Sequence, residues 1–455
     1  MTEATLPAAP STDRPTRRQW LTLLVLSLGL AIVIIDGTIV NVAIPSIRAE
    51  FNATLQQLEW VNSIYALVYA ALIVTWGRIG DQVGRKRIFI GGVTVFVVGS
   101  LMAGAAPSIE FLILARVVQG LGAGMTSPST LSIISATFIG RARGIAFGVW
   151  GAVAGASAAL GPLLGGWLTT NASWRWAFFI NLPIGIIAIV GAFLLIQESI
   201  DRQQELSFDI PGILLTALGV GAIIFALIEG QTYGWVQPKR PFTIGDWTWP
   251  LENVSISLVA AIIGVVALAM FVWWEQRVKR QGKEPLFDFS LTRFPSFRYG
   301  LITVAIVALG EFGVIFVLSL YLQGVLGLTA FQTGLVFLPF AITTLFVAPS
   351  AGVLSSRFGA KWVVSRGMVF AALATLLLCR LFACDMTIGY FVPVLMLYGV
   401  GVGLAIAQLT SVVLSEVPRD RLGAGSGANN TVRQVGAAVG VAIIGAVLTT
   451  GISTS

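Results

Sequence analysis

The sequence predicts an all-α polytopic membrane protein: two related six-helix bundles with an extra helix pair inserted between them. Three observations carry this. The 455-residue chain is 56% hydrophobic and 11% charged, where a soluble chain carries about 25% charged residues. The charges cluster between long apolar runs, each near the ~20 residues that cross a bilayer as a helix. A glycine-rich basic loop occurs once in each half of the chain. The net charge of +7 sits in short loops between apolar segments, which suits membrane topology and speaks against nucleic acid as a partner.

In chain order, residues 1–19 are polar and contain proline, and read as a disordered cytoplasmic tail. Arg14, Arg17 and Arg18 resemble the start of a signal peptide. However, the apolar stretch that follows is long, and no small-residue cleavage site stands out. Thirteen apolar windows then run near 20–45, 57–77, 87–106, 109–133, 144–168, 175–196, 209–228, 254–274, 298–322, 333–354, 362–383, 388–414 and 429–451. The first six form an N-terminal bundle over 20–196. The seventh and eighth form an inserted pair within 197–297, and the last five belong to a C-terminal bundle over 298–455. Alternating spans place the basic loops around Arg85, Arg141, Lys279, Arg357 and Arg419 on one side, with the tail. By the positive-inside rule the N-terminus is cytoplasmic, in the cell's inner (plasma) membrane.

The loop repeat is specific in its spacing. "GRIGDQVGRKR" (77–87) ends the second window and "GVLSSRFGAK" (352–361) ends the tenth, aligning Gly77 with Gly352, Gly84 with Gly359 and Lys86 with Lys361. Asp81 aligns with Ser356, so the second copy is degenerate. Internal duplication of helical bundles is common in secondary transporters. Asp81 either pairs with Arg85 or caps the next helix. Such a loop suits holding one conformation, which makes Gly77, Asp81, Gly84, Arg85 and Lys86 a candidate gate.

Charges inside apolar spans are the candidate chemistry. Asp36 and Glu311 are the clearest carboxylates well inside them. Desolvation favours the neutral form of a carboxylate, so each is a candidate proton carrier; the bland reading of Asp36 is a structural group satisfied by hydroxyls such as Thr38. With no histidine in the chain, proton work falls to carboxylates. Arg116, Gln119, Gly120 and Ala123 share one face of the fourth helix. There Arg116 either tunes a carboxylate or binds backbone carbonyls. Asn41, Gln119 and Glu311 are candidate cavity residues. In the fifth helix, Gly155, Gly161 and Gly165 permit close helix approach, and Pro162 bends the helix. Glu229 and Glu275 lie at helix ends. Cys379 and Cys384 lie five apart on one helix end, a poor spacing for a disulfide. There is no P-loop and no G-x-S-x-G motif.

These residues carry a resemblance. "DGTIVNVAIP" (36–45), "GRIGDQVGRKR", "LARVVQGLGAG" (114–124), "GASAALGPLLGG" (155–166), "WRWAFFINLPIG" (174–185) and "NNTVRQVGAAVGVAI" (429–443) resemble the major facilitator superfamily, specifically its fourteen-helix drug:proton antiporter (EmrB/QacA-type) subfamily. The resemblance implies the major facilitator fold and proton coupling through Asp36 and Arg116. It also implies a cytoplasmic gate at Asp81 and Arg85, and an antiporter helix shaped by Gly161 and Pro162; a proton role for Glu311 comes from its burial. A fourteenth helix is implied as well. The chain stops at "TGISTS" after thirteen, so that helix is expected to be missing and the C-terminus to lie outside.

The expected function is export of amphipathic or cationic drugs by a monomer, against protons, with the proton gradient as energy source and no cofactor, metal or enzymatic activity. The alternatives are a dedicated exporter of one endogenous metabolite or antibiotic, and a non-transporting membrane sensor or scaffold.

Overall fold

The computed structural model describes residues 15–198, 209–244, 247–251, 253–283, 285–383, 388–418 and 421–453. Its helices are α1 (Arg17–Phe51), α2 (Leu55–Val83), α3 (Arg85–Gly104), α4 (Ile109–Thr137), α5 (Gly140–Asn171), α6 (Trp176–Phe179) and α7 (Asn181–Leu195). They continue as α8 (Ile210–Tyr233), α9 (Ile256–Arg280), α10 (Pro295–Leu320), α11 (Ala330–Phe358), α12 (Ala360–Ala383), α13 (Phe391–Val413) and α14 (Leu422–Ser453). Twelve spans among the described residues are long and apolar enough to cross a membrane, with α6 and α7 forming one of them. The thirteenth predicted window lies within the 32-residue α14. The chain is a multi-pass membrane protein. Bulky apolar side chains such as Ile187 on α7 and Val265 on α9 stay exposed, which suits faces turned to lipid.

Several helix ends differ from the sequence reading, three of them for a clear local reason. Part of the expected tail is helical: α1 starts at Arg17, because Thr16 and Gln19 form a reciprocal capping box. Residues 1–14 of that tail, and Cys384, lie outside the described residues. Next, α1 does not stop at Pro45 but continues to Phe51. Proline deletes one helical hydrogen bond, and burial of Ile47 beyond it helps to hold the extra turns. They end at Asn52, in the left-handed region at φ 49°. Finally, the sixth window breaks into α6 and α7 around Ile180. Pro183 has no N–H to bond the Phe179 carbonyl, and the break turns Asn181 inward, fully buried.

In the first half α1 packs on α5, and α4 packs on both α2 and α3. In the second half α10 packs on α14, and α13 packs on both α11 and α12. The halves meet along two seams, α5 against α11 and α2 against α14. The inserted helices α8 and α9 pack on each other, and α8 lies against α2 and α14. A two-residue β-hairpin, β1 (Thr243–Ile244) with β2 (Trp247–Thr248), folds the loop between them.

The stretches read as a repeated loop are helical except at Gly84 and Gly359, because α2 continues to Val83 and α11 to Phe358, and their glycines explain both seams. Gly84 and Gly359 end α2 and α11 at φ 119° and 85°, a region open to glycine. A methyl on Gly77 would run into the Gly423 carbonyl, and one on Gly352 would approach the Gly144 carbonyl carbon within 2.6 Å. The equivalent glycines thus permit equivalent backbone contacts across the two halves.

Candidate functional site

The most buried charges lie inside the first half. Asp36 on α1 and Arg116 on α4 are both fully buried and form an ion pair. Asp36 Oδ1 accepts hydrogen bonds from Gln119 Nε2 at 2.8 Å and Asn181 Nδ2 at 2.9 Å. Both amides also reach Ser100 Oγ, at 2.9 and 3.2 Å. Arg116 donates to Gln119 Oε1 at 2.9 Å and to the Val61 carbonyl at 3.0 Å, and lies 4.2 Å over the Tyr65 ring. Residues of α1, α2, α3, α4 and α7 therefore meet in one polar cluster. Thr38, the hydroxyl considered for Asp36, instead bonds carbonyls of its own helix. Asn181 and Ser100 escaped the sequence reading. An asparagine within "FFINLP" was the only signal, and nothing local reveals that it meets Asp36.

A cavity of about 380 Å³ lies between the halves, in the range of small-molecule sites. Asn41 and Glu311 line it, with Tyr65, Tyr69, Trp150 and Phe312 among its walls. Gln119 does not: its side chain is fully buried in the Asp36 cluster, which corrects its placement as a cavity residue. The physical reason is its spacing from Arg116, which puts both on the face turned into the bundle. Asp36 is not a lining residue either, although Gly37 next to it and Tyr65 are. Glu311 accepts from Arg433 Nη2 at 3.3 Å, a partner that sequence reasoning missed.

The candidate gate sits at the end of α2. Asp81 pairs with Arg85 at 2.9 Å, and its carboxylate also accepts from the backbone N–H groups of Gly423 at 2.9 Å and Ala424 at 3.1 Å. The helix it caps is α14, in the other half, rather than the next helix α3. A carboxylate at a helix N-terminus satisfies orphan donors and the helix dipole. Gly84 lies against the Glu198 carboxylate, and Lys86 Nζ donates to the Phe193 carbonyl at 2.9 Å. Nearby, Ser132 Oγ of α4 bonds Ser426 Oγ of α14 at 3.2 Å. In the second copy, exposed Ser356 bonds the Val353 carbonyl of its own helix, and among the described residues it makes no equivalent latch.

Another tie joins the α9–α10 loop to the start of α14. Asp288 pairs with Lys279 at 2.6 Å and with Arg421. Burial pushes the Asp288 carboxyl up, but hydrogen bonds from Lys279 and Ser290 and the charge of Arg421 outweigh it, bringing it down to about 2. Glu229 and Glu275, near their helix ends, are nonetheless buried.

On α5, a methyl at Gly161 would run into the Thr38 hydroxyl, and one at Gly165 would meet the Ile39 carbonyl at 3.0 Å. These glycines face α1 on either side of the turn after Asp36. Gly155 faces Thr344 of α11 at 3.1 Å. Pro162 lies inside the helix, so the small-residue helix packs on both halves.

Residues 26–209 and 210–441 match the Major Facilitator Superfamily. The chain is 34% identical over 438 residues to the multidrug resistance protein Stp of Mycobacterium tuberculosis, covering 96% of this chain and 77% of that protein. It is 30% identical over 431 residues to the tetracenomycin C resistance and export protein of Streptomyces glaucescens, covering 95% and 76%. Its fold is similar to that of the human organic anion transporter MFSD10, with a TM-score of 0.64 at 14% identity, over 94% of this chain and 93% of that one.

Proposed function

Because the chain belongs to the Major Facilitator Superfamily, and is therefore a transporter rather than an enzyme, we propose that it exports amphipathic small molecules in exchange for protons. The observation that carries this is the buried Asp36–Arg116 pair behind the cavity wall. The relatives add drug resistance and export. The proposed setting is the plasma membrane, with the basic loops and the N-terminus on the cytoplasmic side.

The exchange follows from charge bookkeeping. Removing one partner of a buried ion pair leaves the other uncompensated, at about 3–5 kcal/mol. A proton arriving on Asp36 therefore leaves Arg116 without its counter-charge and disturbs the bonds of Gln119 and Asn181. Tyr65 lies between Arg116 and the cavity, so movement of the guanidinium changes the wall that cargo touches. A proton and cargo that favour different states of this cluster drive exchange. With Asp81 capping α14, the two halves are held together at the basic-loop end. In the proposed cycle, breaking this contact would open the cavity on that side.

The test is dye export by proteoliposomes under an imposed pH gradient, parent against Asp36→Asn. Proton-driven export by the parent, lost in the variant while downhill movement persists, supports coupling at Asp36. Equal uphill export by both rules it out. A second reading, export of one endogenous metabolite, is favoured by the tetracenomycin relative; a narrow response across a panel of compounds would select it.

A further inference from the structure

We infer that the cavity binds its cargo through an acidic oxygen, a carboxylate or phenolate on a planar aromatic compound, held between Arg433 and Asn430 of α14. That the bound molecule is cargo rests on the export reading above; the site itself rests on the following geometry.

Arg433 and Asn430 are three residues apart, one turn on one helix face, and both line the cavity. Among the described residues the Arg433 guanidinium makes one hydrogen bond, the 3.3 Å contact with Glu311. It carries five N–H donors, so most of its capacity is unused. Asn430 is 5% exposed, and its Nδ2 has no partner among the described residues. Buried donors are nearly always paired, so the orphaned Asn430 amide, one turn from a 19%-exposed Arg433 side chain with spare donors, points to acceptor atoms supplied by a ligand. A guanidinium fork matches a carboxylate in two parallel bonds, and a neighbouring amide N–H₂ adds a third.

The remaining lining selects the rest of the molecule. Among the described residues Glu311 and Arg433 are the only charged ones on the wall, and Tyr69, Trp150 and Phe312 supply flat apolar faces. A lipophilic cation would depend on Glu311, whose carboxylate is already engaged by Arg433, and would meet the guanidinium's like charge. An aromatic acid meets the opposite situation: ring faces to stack on and unpaired donors for its oxygens. Glu311 then acts as an internal competitor for Arg433, which the bound oxygen must share or displace.

Equilibrium dialysis of the purified full chain, with anthraquinone-2-carboxylate and ethidium as matched flat probes, tests this. The parent should favour the carboxylate. Arg433→Gln should weaken carboxylate binding by about tenfold or more, as loss of a charged hydrogen bond does. Asn430→Ala should weaken it several-fold, and Arg433→Lys should keep part of it. Glu311→Gln should tighten the carboxylate and weaken ethidium, while Arg433→Gln tightens ethidium. This opposed pattern cannot come from misfolding, which weakens both probes. The inference is overturned if Arg433→Gln and Arg433→Lys bind the carboxylate as the parent does, if the parent prefers ethidium, or if the parent shows no carboxylate binding at millimolar concentration. Arg433-dependent binding without proton-driven flux in parent proteoliposomes would overturn the export reading and leave the site intact.

Discussion

Asp36 shows how one residue acquires a task from its neighbours. A carboxylate in an apolar helix is costly when alone. Here it receives Arg116, Gln119 and Asn181, so both carboxylate oxygens have partners. Asp36→Asn keeps the shape and strands Arg116, whose Nη2 already lacks a partner among the described residues. We expect it to lower unfolding stability in detergent by about 3–5 kcal/mol. Adding Arg116→Gln to it should restore a large part, because the stranded charge is gone. Thermal unfolding of the two variants beside the parent checks this; a double variant no better than the single one would contradict it.

At the scale of elements, glycines decide which helices touch. Gly161 lets α5 lie against α1 at Thr38, beside the Asp36 turn. Gly161→Leu should push α5 away, abolishing export while leaving helical circular dichroism near the parent value; export at parental rates would count against it. The α9–α10 loop offers a pH prediction. With its carboxyl held at about 2 instead of near the ordinary 3.8, Asp288 contributes stability that is full above about pH 4. The contribution fades as pH falls towards the folded value. The stability gap between parent and Asp288→Asn should therefore be constant from pH 7 to 5 and close between pH 4 and 2. A gap that widened on acidification would reverse the assigned sign.

At the scale of the whole molecule, the two halves meet along two seams. The α2–α14 seam is latched by Asp81 on the N–H groups of Gly423 and Ala424, with Ser132 touching Ser426 close by. After Cys379 and Cys384 are replaced by alanine, cysteines at positions 132 and 426 should form a disulfide on mild oxidation. Export should stop, and reduction should restore it, because the proposed exchange by alternating access requires this end to open. Asp81→Asn, a weaker cap, should slow that cross-linking. Full export by the oxidised protein would mean that this end never needs to part.

Hydropathy and spacing alone determined the membrane-spanning helices, the duplicated glycine motif and the candidates Asp36, Arg116 and Glu311, but not that the motif is helical up to Gly84 and Gly359. Chain length against bilayer thickness and the cost of buried charge are local quantities, readable along one strand of text. Helix ends at Thr16 and Pro45 were less legible, because a cap or a proline acts through neighbours that hydropathy does not weigh. Only the tertiary structure decided which groups meet. Asn181 reaches Asp36 from 145 residues away, Gly423 reaches Asp81 from 342, and Arg433 reaches Glu311 from 122. The same packing took Gln119 out of the cavity and put Arg433 and Asn430 into it. A side chain's type sets what it can bond, whereas its partner is set by helix rotation and bundle packing, which are properties of the assembled chain.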